Sequence, residues 1–402
     1  MSSKETWWSG VKMGPPDPIF SINDAFKKDK NKKKVNLGLG AYRDEKGKPF
    51  VLPSVLKCVK CIASRKMDKE YLPIVGHTGF RKAAAKLAFG DACPFKEGRY
   101  VSIQGIGGTG CLSLGALFLK KHFPCEKVVW LPKPTWANHP KIFALQGLKV
   151  KEYDYYDHAS HKVNFACLCE ALHPEKNIIL LHACAHNPTG ADPDREQWRE
   201  IAEIVKKRKI FPFFDMAYQG FATGNIKNDA FPVRHFLDEE IQVMVAASFS
   251  KNMGLYGERI GALLMTTCSK VEAVKIESQM RLLIRPWYSN PPIGGARIVN
   301  EILTSEDFYP MWLKDVKAMS TRIANMREKL VCELKSAGSK RDWSFLGCQV
   351  GMFSLLGINE KQAVELMKKH HVYLMKTGRI SFAGINCKTV KPVAKAIHAV
   401  TK

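Results

Sequence analysis

Short apolar runs alternate with amphipathic stretches through the middle of this chain: Tyr100–Gln104, Leu112–Phe123, Val128–Leu131, Lys141–Leu145, Ile178–His182, Arg195–Lys207 and Phe211–Asp215. A brief, nearly all-apolar run suits a strand buried on both faces, and an amphipathic stretch between two such runs suits a crossover helix. The pattern predicts an α/β fold with a mostly parallel sheet and helices on both faces. Beyond about residue 300 it turns helical, and Met311–Ala337 is long enough to bridge two domains. A chain of 402 residues can bury a sizeable core and divide in this way.

Three of the runs lead into groups that carry chemistry. Val243–Ala247 runs into Ser248-Phe249-Ser250-Lys251, and Arg259 follows a few residues on. A lysine just past a buried strand is partly desolvated, which lowers its pKa toward the neutral, nucleophilic amine. Hydroxyls and an arginine beside it are what a phosphate needs. The combination suggests a Schiff-base lysine for pyridoxal phosphate (PLP), although a lysine snorkelling from a strand end has the same local sequence. Ile210–Asp215 ends in a carboxylate, with Tyr218 three residues on. Asp215 suits a partner for a pyridinium nitrogen and Tyr218 for a phenolic oxygen; an N-cap and a half-buried tyrosine are the plain alternatives. Leu180–His182 leads to His186-Asn187-Pro188-Thr189-Gly190. There the proline pushes Asn187 toward extended backbone and frees its amide, although taken alone the tetrapeptide is a turn signal.

Together these segments resemble the fold-type I PLP-dependent transferases, and among them the aspartate aminotransferase family over nearly the whole chain. The resemblance extends through Met13–Pro18, Leu37–Arg43, Glu70–Pro73, Leu131–Trp136, Ser289–Pro292 and Gly378–Ser381. Trp7-Trp8 and the closing Ala396-Ile397-His398 with Val400-Thr401-Lys402 are similar to the mitochondrial branch. The resemblance implies a seven-stranded, mostly parallel sheet in a large domain at 44–316. It also implies a smaller α/β domain from 12–43 and 317–402, an N-terminal arm at 1–11, and a homodimer with shared sites.

Residue by residue, it implies that Lys251 carries the cofactor and shuttles the proton between the substrate α-carbon and the cofactor C4′. Asp215, supported by His139, pairs with the pyridinium; Tyr218 and Asn187 bond the phenolic oxygen, and Trp136 stacks on the ring. Gly108, Thr109, Ser248 and Arg259 hold the phosphate, with Tyr71 reaching over from a second subunit. Arg379 takes the substrate α-carboxylate with help from Asn187 and the backbone at Gly38. Arg285, next to Ser289, crosses the dimer interface to the side-chain carboxylate. The expected reaction is L-aspartate plus 2-oxoglutarate giving oxaloacetate and L-glutamate by a ping-pong route. Gly107 departs from the family, which usually has serine there, so one hydroxyl near the phosphate is expected to be missing.

Other classes are disfavoured. Gly105-Ile106-Gly107-Gly108-Thr109-Gly110 fits the dinucleotide fingerprint, but the next run, Val128–Leu131, ends in Pro132-Lys133-Pro134 without the acid that a ribose needs. Both readings share glycines exposing N–H groups at a helix start, where a phosphate is favoured. A net charge of +24 invites nucleic acid or a membrane surface, yet the lysines are spread along the chain and no nucleic-acid motif is present. The densest run, Lys27–Lys34, suits a solvated face. Cys58-x-x-Cys61 and Cys167-x-Cys169 are the only close cysteine pairs, and the first lies in a helical segment without turn residues, so no metal site is expected. Twelve cysteines without a signal peptide suggest free thiols in a reducing compartment. The basic charge and the family branch favour the mitochondrial matrix, the presequence being absent from this chain; the cytosol is the alternative. No apolar stretch approaches the ~20 residues that span a bilayer. Intact Lys251, Asp215, Tyr218, Asn187 and Arg379 argue against an idle paralogue serving as a basic surface.

Overall fold

The computed structural model describes residues 6–172 and 178–402. Its centre is one seven-stranded sheet built from β1 (Tyr100–Ile106), β2 (Val128–Lys133), β3 (Lys149–Asp154), β4 (Ile178–His182), β5 (Phe211–Met216), β6 (Met244–Ser248) and β7 (Ile260–Thr266). The order across the sheet is β1-β7-β6-β5-β4-β2-β3. β7 runs antiparallel to both neighbours, and the other pairings are parallel. Every residue of β4, β6 and β7 is buried, as strands with helices on both faces require.

The expected crossovers are present. They include α1 (Gly107–His122), α2 (His139–Leu145) and α3 (Arg195–Arg208). A capping box starts α3: Asp194 accepts from the Gln197 amide while the Gln197 side chain accepts from the Asp194 amide. The long C-terminal helix expected at Met311–Ala337 is α5 (Phe308–Ser336), after α4 (Lys270–Trp287). Trp312 of α5 is fully buried, and its indole N–H donates to the Asn252 carbonyl at 2.8 Å, beside Lys251. Among the described residues no helix is long and apolar enough to cross a membrane. Cys58 and Cys61 lie on the helix Pro53–Ser64 as free thiols, with Cys58 buried.

The chain ends meet. Val35–Asn36 pairs in parallel with Val372–Tyr373. Phe353–Leu355 pairs antiparallel with Arg379–Ser381, so the C-terminal third contains two small sheets as well as helices. Residues 1–5 of the expected arm lie outside the described residues; Trp7 and Trp8 are almost fully exposed.

Candidate active site

Parallel strands release their last residues at one edge, where open α/β sheets bind ligands. Here that edge gathers Asp215 of β5, Ser248 closing β6, and the Asn187 turn after β4. Because β7 is antiparallel, its first residues lie at this same edge, and Arg259 arrives there with them. A cavity of about 260 Å³ results, lined by Gly108, Thr109, Trp136, Asn187, Asp215, Tyr218, Ser248, Lys251, Arg259 and Arg379. A larger cavity, about 790 Å³, opens near the opposite strand ends between α1, α3 and α4, but none of these groups reaches it.

Asp215 is buried and belongs to the strand, so it is not a helix N-cap. Its carboxylate bonds His139 Nε2 at 3.0 Å; His139 Nδ1 meets Thr135 Oγ1 at 2.8 Å, and Thr135 Oγ1 meets His182 Nε2 at 3.1 Å. The backbone N–H of Asn187 donates to His182 Nδ1 at 3.3 Å, which orients the whole chain of bonds. His182 must then carry its proton on Nε2 and donate to Thr135, whose hydroxyl donates to His139 Nδ1. His139 is left with an Nε2 proton aimed at Asp215. Burial, with His139 nearby, pushes His182 down to about 3, keeping it neutral. Burial alone would raise the Asp215 carboxyl, but the hydrogen bond from His139 first, with His182 and Lys251 nearby, holds it below the ordinary carboxylate value. These three side chains could also surround a metal ion, but the hydrogen bonds use the same atoms.

Burial lowers the Lys251 pKa, with Asp215 opposing and Arg259 assisting. Its Nζ sits 4.8 Å from the Tyr218 ring centroid. Tyr218 is pushed up by burial first and by Asp215 second, with Arg379 and the Asn187 side chain opposing.

Gly108 and Thr109 open α1, whose first N–H groups have no partner within the helix. Gly107 has φ +65°, and a Cβ there would lie 2.5 Å from Arg259 Nη2. The lost serine is therefore not simply a missing hydroxyl: the backbone as folded calls for glycine. The cradle, with Ser248 and Arg259 facing it, fits a phosphate, and a carboxylate near Lys251 fits a protonated pyridine.

Arg379 is buried. One Nη donates to the Gly38 carbonyl at 2.7 Å, the other to Asn187 Oδ1 at 3.4 Å, and its Nε has no partner. Among the described residues no carboxylate pairs with it, although burial depresses its pKa, and its guanidinium lies 4.4 Å from the Phe353 ring centroid. A buried, unpaired guanidinium with a spare N–H is prepared for a ligand carboxylate.

Tyr71, Arg285 and Ser289 are not brought to Lys251. They line a separate cavity of about 790 Å³, where Arg285 Nη1 donates to Ser289 Oγ at 2.7 Å and Tyr71 is exposed. Several lining residues were given no part from the sequence, Gly40, Tyr256 and Phe353 among them. Tyr256 lies between Lys251 and Arg259 and could have been read from that segment. Phe353 carried no local signal, since it reaches the cavity only through its pairing with the Arg379 strand.

The aminotransferase class I and II family matches residues 32–397. The chain belongs to this family. Mitochondrial aspartate aminotransferase of Gallus gallus is 51% identical over 400 residues, covering 99% of this chain and 95% of that protein. The Xenopus tropicalis mitochondrial aspartate aminotransferase is 50% identical over 99% of this aminotransferase and 94% of its own length. A Burkholderia pseudomallei aromatic-amino-acid aminotransferase, covalently bound to pyridoxal phosphate, superposes with a TM-score of 0.96 at 41% identity, covering 99% of this chain and 100% of that one.

Proposed function

We propose that this aminotransferase is a PLP-dependent aspartate transaminase, interconverting L-aspartate and 2-oxoglutarate with oxaloacetate and L-glutamate. The observation that carries the reading is the buried, carboxylate-free Arg379 across the same cavity as Lys251 and Asp215. When bound, PLP supplies an aldehyde for the amino group and a pyridinium electron sink.

The protein's own groups do the rest. Asp215 keeps a proton on the pyridine nitrogen, and the directed His182–Thr135–His139 bonds keep Asp215 ionised. Asn187 and Tyr218 bond the phenolic oxygen, Trp136 covers the ring, and Gly108, Thr109, Ser248 and Arg259 hold the phosphate. Arg379 clamps the α-carboxylate and so orients the α-C–H bond. Lys251, its pKa lowered by burial, is available as a neutral amine to take the proton from the substrate α-carbon.

The distal carboxylate needs a second cation, and Arg285 faces another cavity. We therefore place Arg285, Ser289 and Tyr71 at the neighbouring subunit's site in a homodimer. Exposed Trp7, Trp8, Leu56, Val59 and Trp287 offer apolar surface for that contact. The Val35–Asn36 pairing with Val372–Tyr373 supports joining 12–43 with 317–402 as a small domain beside 44–316. The mitochondrial names of the relatives and the +24 charge favour the matrix.

The test is steady-state kinetics over a panel of amino donors with 2-oxoglutarate. Aspartate and glutamate should give the highest kcat/KM. The likeness to an aromatic-amino-acid enzyme favours a second reading, which would prevail if phenylalanine matched or exceeded aspartate. Mixing Lys251→Ala and Arg285→Leu subunits tests the shared site, because hybrid dimers contain one intact site and should recover activity that neither parent has.

A further inference from the structure

The turn that presents Asn187 to the cavity has an unusual support. After β4, Ala185 adopts φ +53°, a left-handed conformation that a residue with a Cβ rarely takes. The N–H groups of Ala185 and His186 then converge on one point. Both end on a single side chain: Asp192 Oδ2 accepts from Ala185 at 2.6 Å and Oδ1 from His186 at 2.8 Å. Two adjacent amides facing one carboxylate form an anion-holding concavity. Gly351 makes room on the other side, since a Cβ there would lie 2.4 Å from that of Ala185.

Asp192 does not line the cavity. The residue that does is Asn187, one position past the second amide, and its side chain meets both Arg379 and Tyr218. The intervening loop is pinned as it returns: Gly190 N–H donates to the His186 carbonyl at 2.8 Å, and Val350 N–H to the Gly190 carbonyl at 2.8 Å. Arg327 lies near Asp192, but its donors go instead to the carbonyls of Leu346, Val350, Gly351 and Phe353 and to Ser354 Oγ. The carboxylate is thus held by the two amides rather than by an ion pair. An acceptor-only group is needed, because a side-chain amide in its place would turn an N–H toward one of the donors.

We propose that Asp192 is a positioning residue for ligand recognition, its carboxylate holding the Ala185–Asn187 turn in the shape that aims Asn187 at the cofactor and at Arg379. This rests on the role given above to Asn187 and extends it to a side chain that touches neither substrate nor cofactor.

A double-mutant cycle of Asp192→Asn and Asn187→Ala tests it, with three readouts: kcat and KM for aspartate separately, PLP affinity of the apo-protein by absorbance, and the apo-protein's thermal midpoint. Asp192→Asn should lower kcat/KM between about tenfold and about a hundredfold, mainly through KM, since a misplacement of about 1 Å costs about that much. PLP affinity should fall with it. On the Asn187→Ala background the same substitution should cost little more, because the group it positions is gone. Losses that add in full on both backgrounds, while Asn187→Ala is itself impaired, would mean Asp192 only supports the fold and overturn the inference alone. Wild-type behaviour of Asn187→Ala would overturn both this inference and the role of Asn187. Should Asp192→Asn fail to fold, Asp192→Ser, whose hydroxyl can still accept from one of the two amides, takes its place in the cycle; the same two outcomes decide.

Discussion

The guanidinium of Arg259 lies directly against Gly107, so close that a Cβ on the glycine would fall 2.9 Å from Arg259 Cζ. The contact is reciprocal, since Gly107 N–H donates to the Arg259 carbonyl at 2.9 Å. Gly107→Ser would face strain of ~1–2 kcal/mol from the left-handed backbone and would also push Arg259 off its place. Serine should therefore weaken cofactor retention despite restoring the family's hydroxyl. Dialysis of both proteins against phosphate buffer, followed by PLP absorbance, checks this. Slower loss from the serine variant would show that the turn readjusts and that the hydroxyl matters more.

Lys251→Ala removes the only amine that lines the cavity among the described residues. Turnover should drop by at least ~10²–10⁴-fold, the usual contribution of acid–base transfer alone. The variant should still bind PLP noncovalently, because the phosphate and ring contacts remain. Retention of more than about a tenth of the activity would remove Lys251 from proton transfer.

Asp215→Asn should act on Lys251 as well as on the cofactor. Burial lowers the Lys251 pKa and the Asp215 charge opposes that effect, so a neutral side chain lets the pKa fall further. In the apo-protein the pH midpoint for reductive methylation of Lys251, followed by mass spectrometry, should move down. A midpoint that stays or rises would mean that the two groups are not electrostatically coupled. In the holoenzyme, removal of the substrate α-proton should slow sharply.

Arg285→Leu leaves the distal carboxylate of aspartate unpaired in the proposed dimeric site, costing ~2–5 kcal/mol in transition-state binding. Phenylalanine needs no distal cation and should lose far less. Kinetics with both donors decide the matter, and equal losses would take Arg285 out of substrate selection.

Much of this site was legible along the chain. Lys251, Asp215 and Asn187 each follow an apolar run, and a buried strand followed by a polar group announces itself locally. Trp136, Ser248, Gly108 and Thr109 were legible through their neighbours in the same segments. Phe353 and Asp192 were not, because their parts depend on pairings with residues far away in sequence, Arg379 and Ala185 among them.

What the sequence determined by itself was the set of local periods and breaks. These were the α/β alternation, the long α5, the glycine-lined start of α1, and the chemical groups placed after each strand. Only the tertiary structure decided where those groups point. The antiparallel direction of β7 brings Arg259 to the cavity edge, the left-handed backbone at Gly107 favours glycine there, and the pairing of Phe353–Leu355 with Arg379–Ser381 carries Arg379 to the cavity. The reason is physical. Hydrophobic period reports which face of an element is buried, whereas strand direction, order and the φ of a glycine are set by packing partners that are distant in sequence.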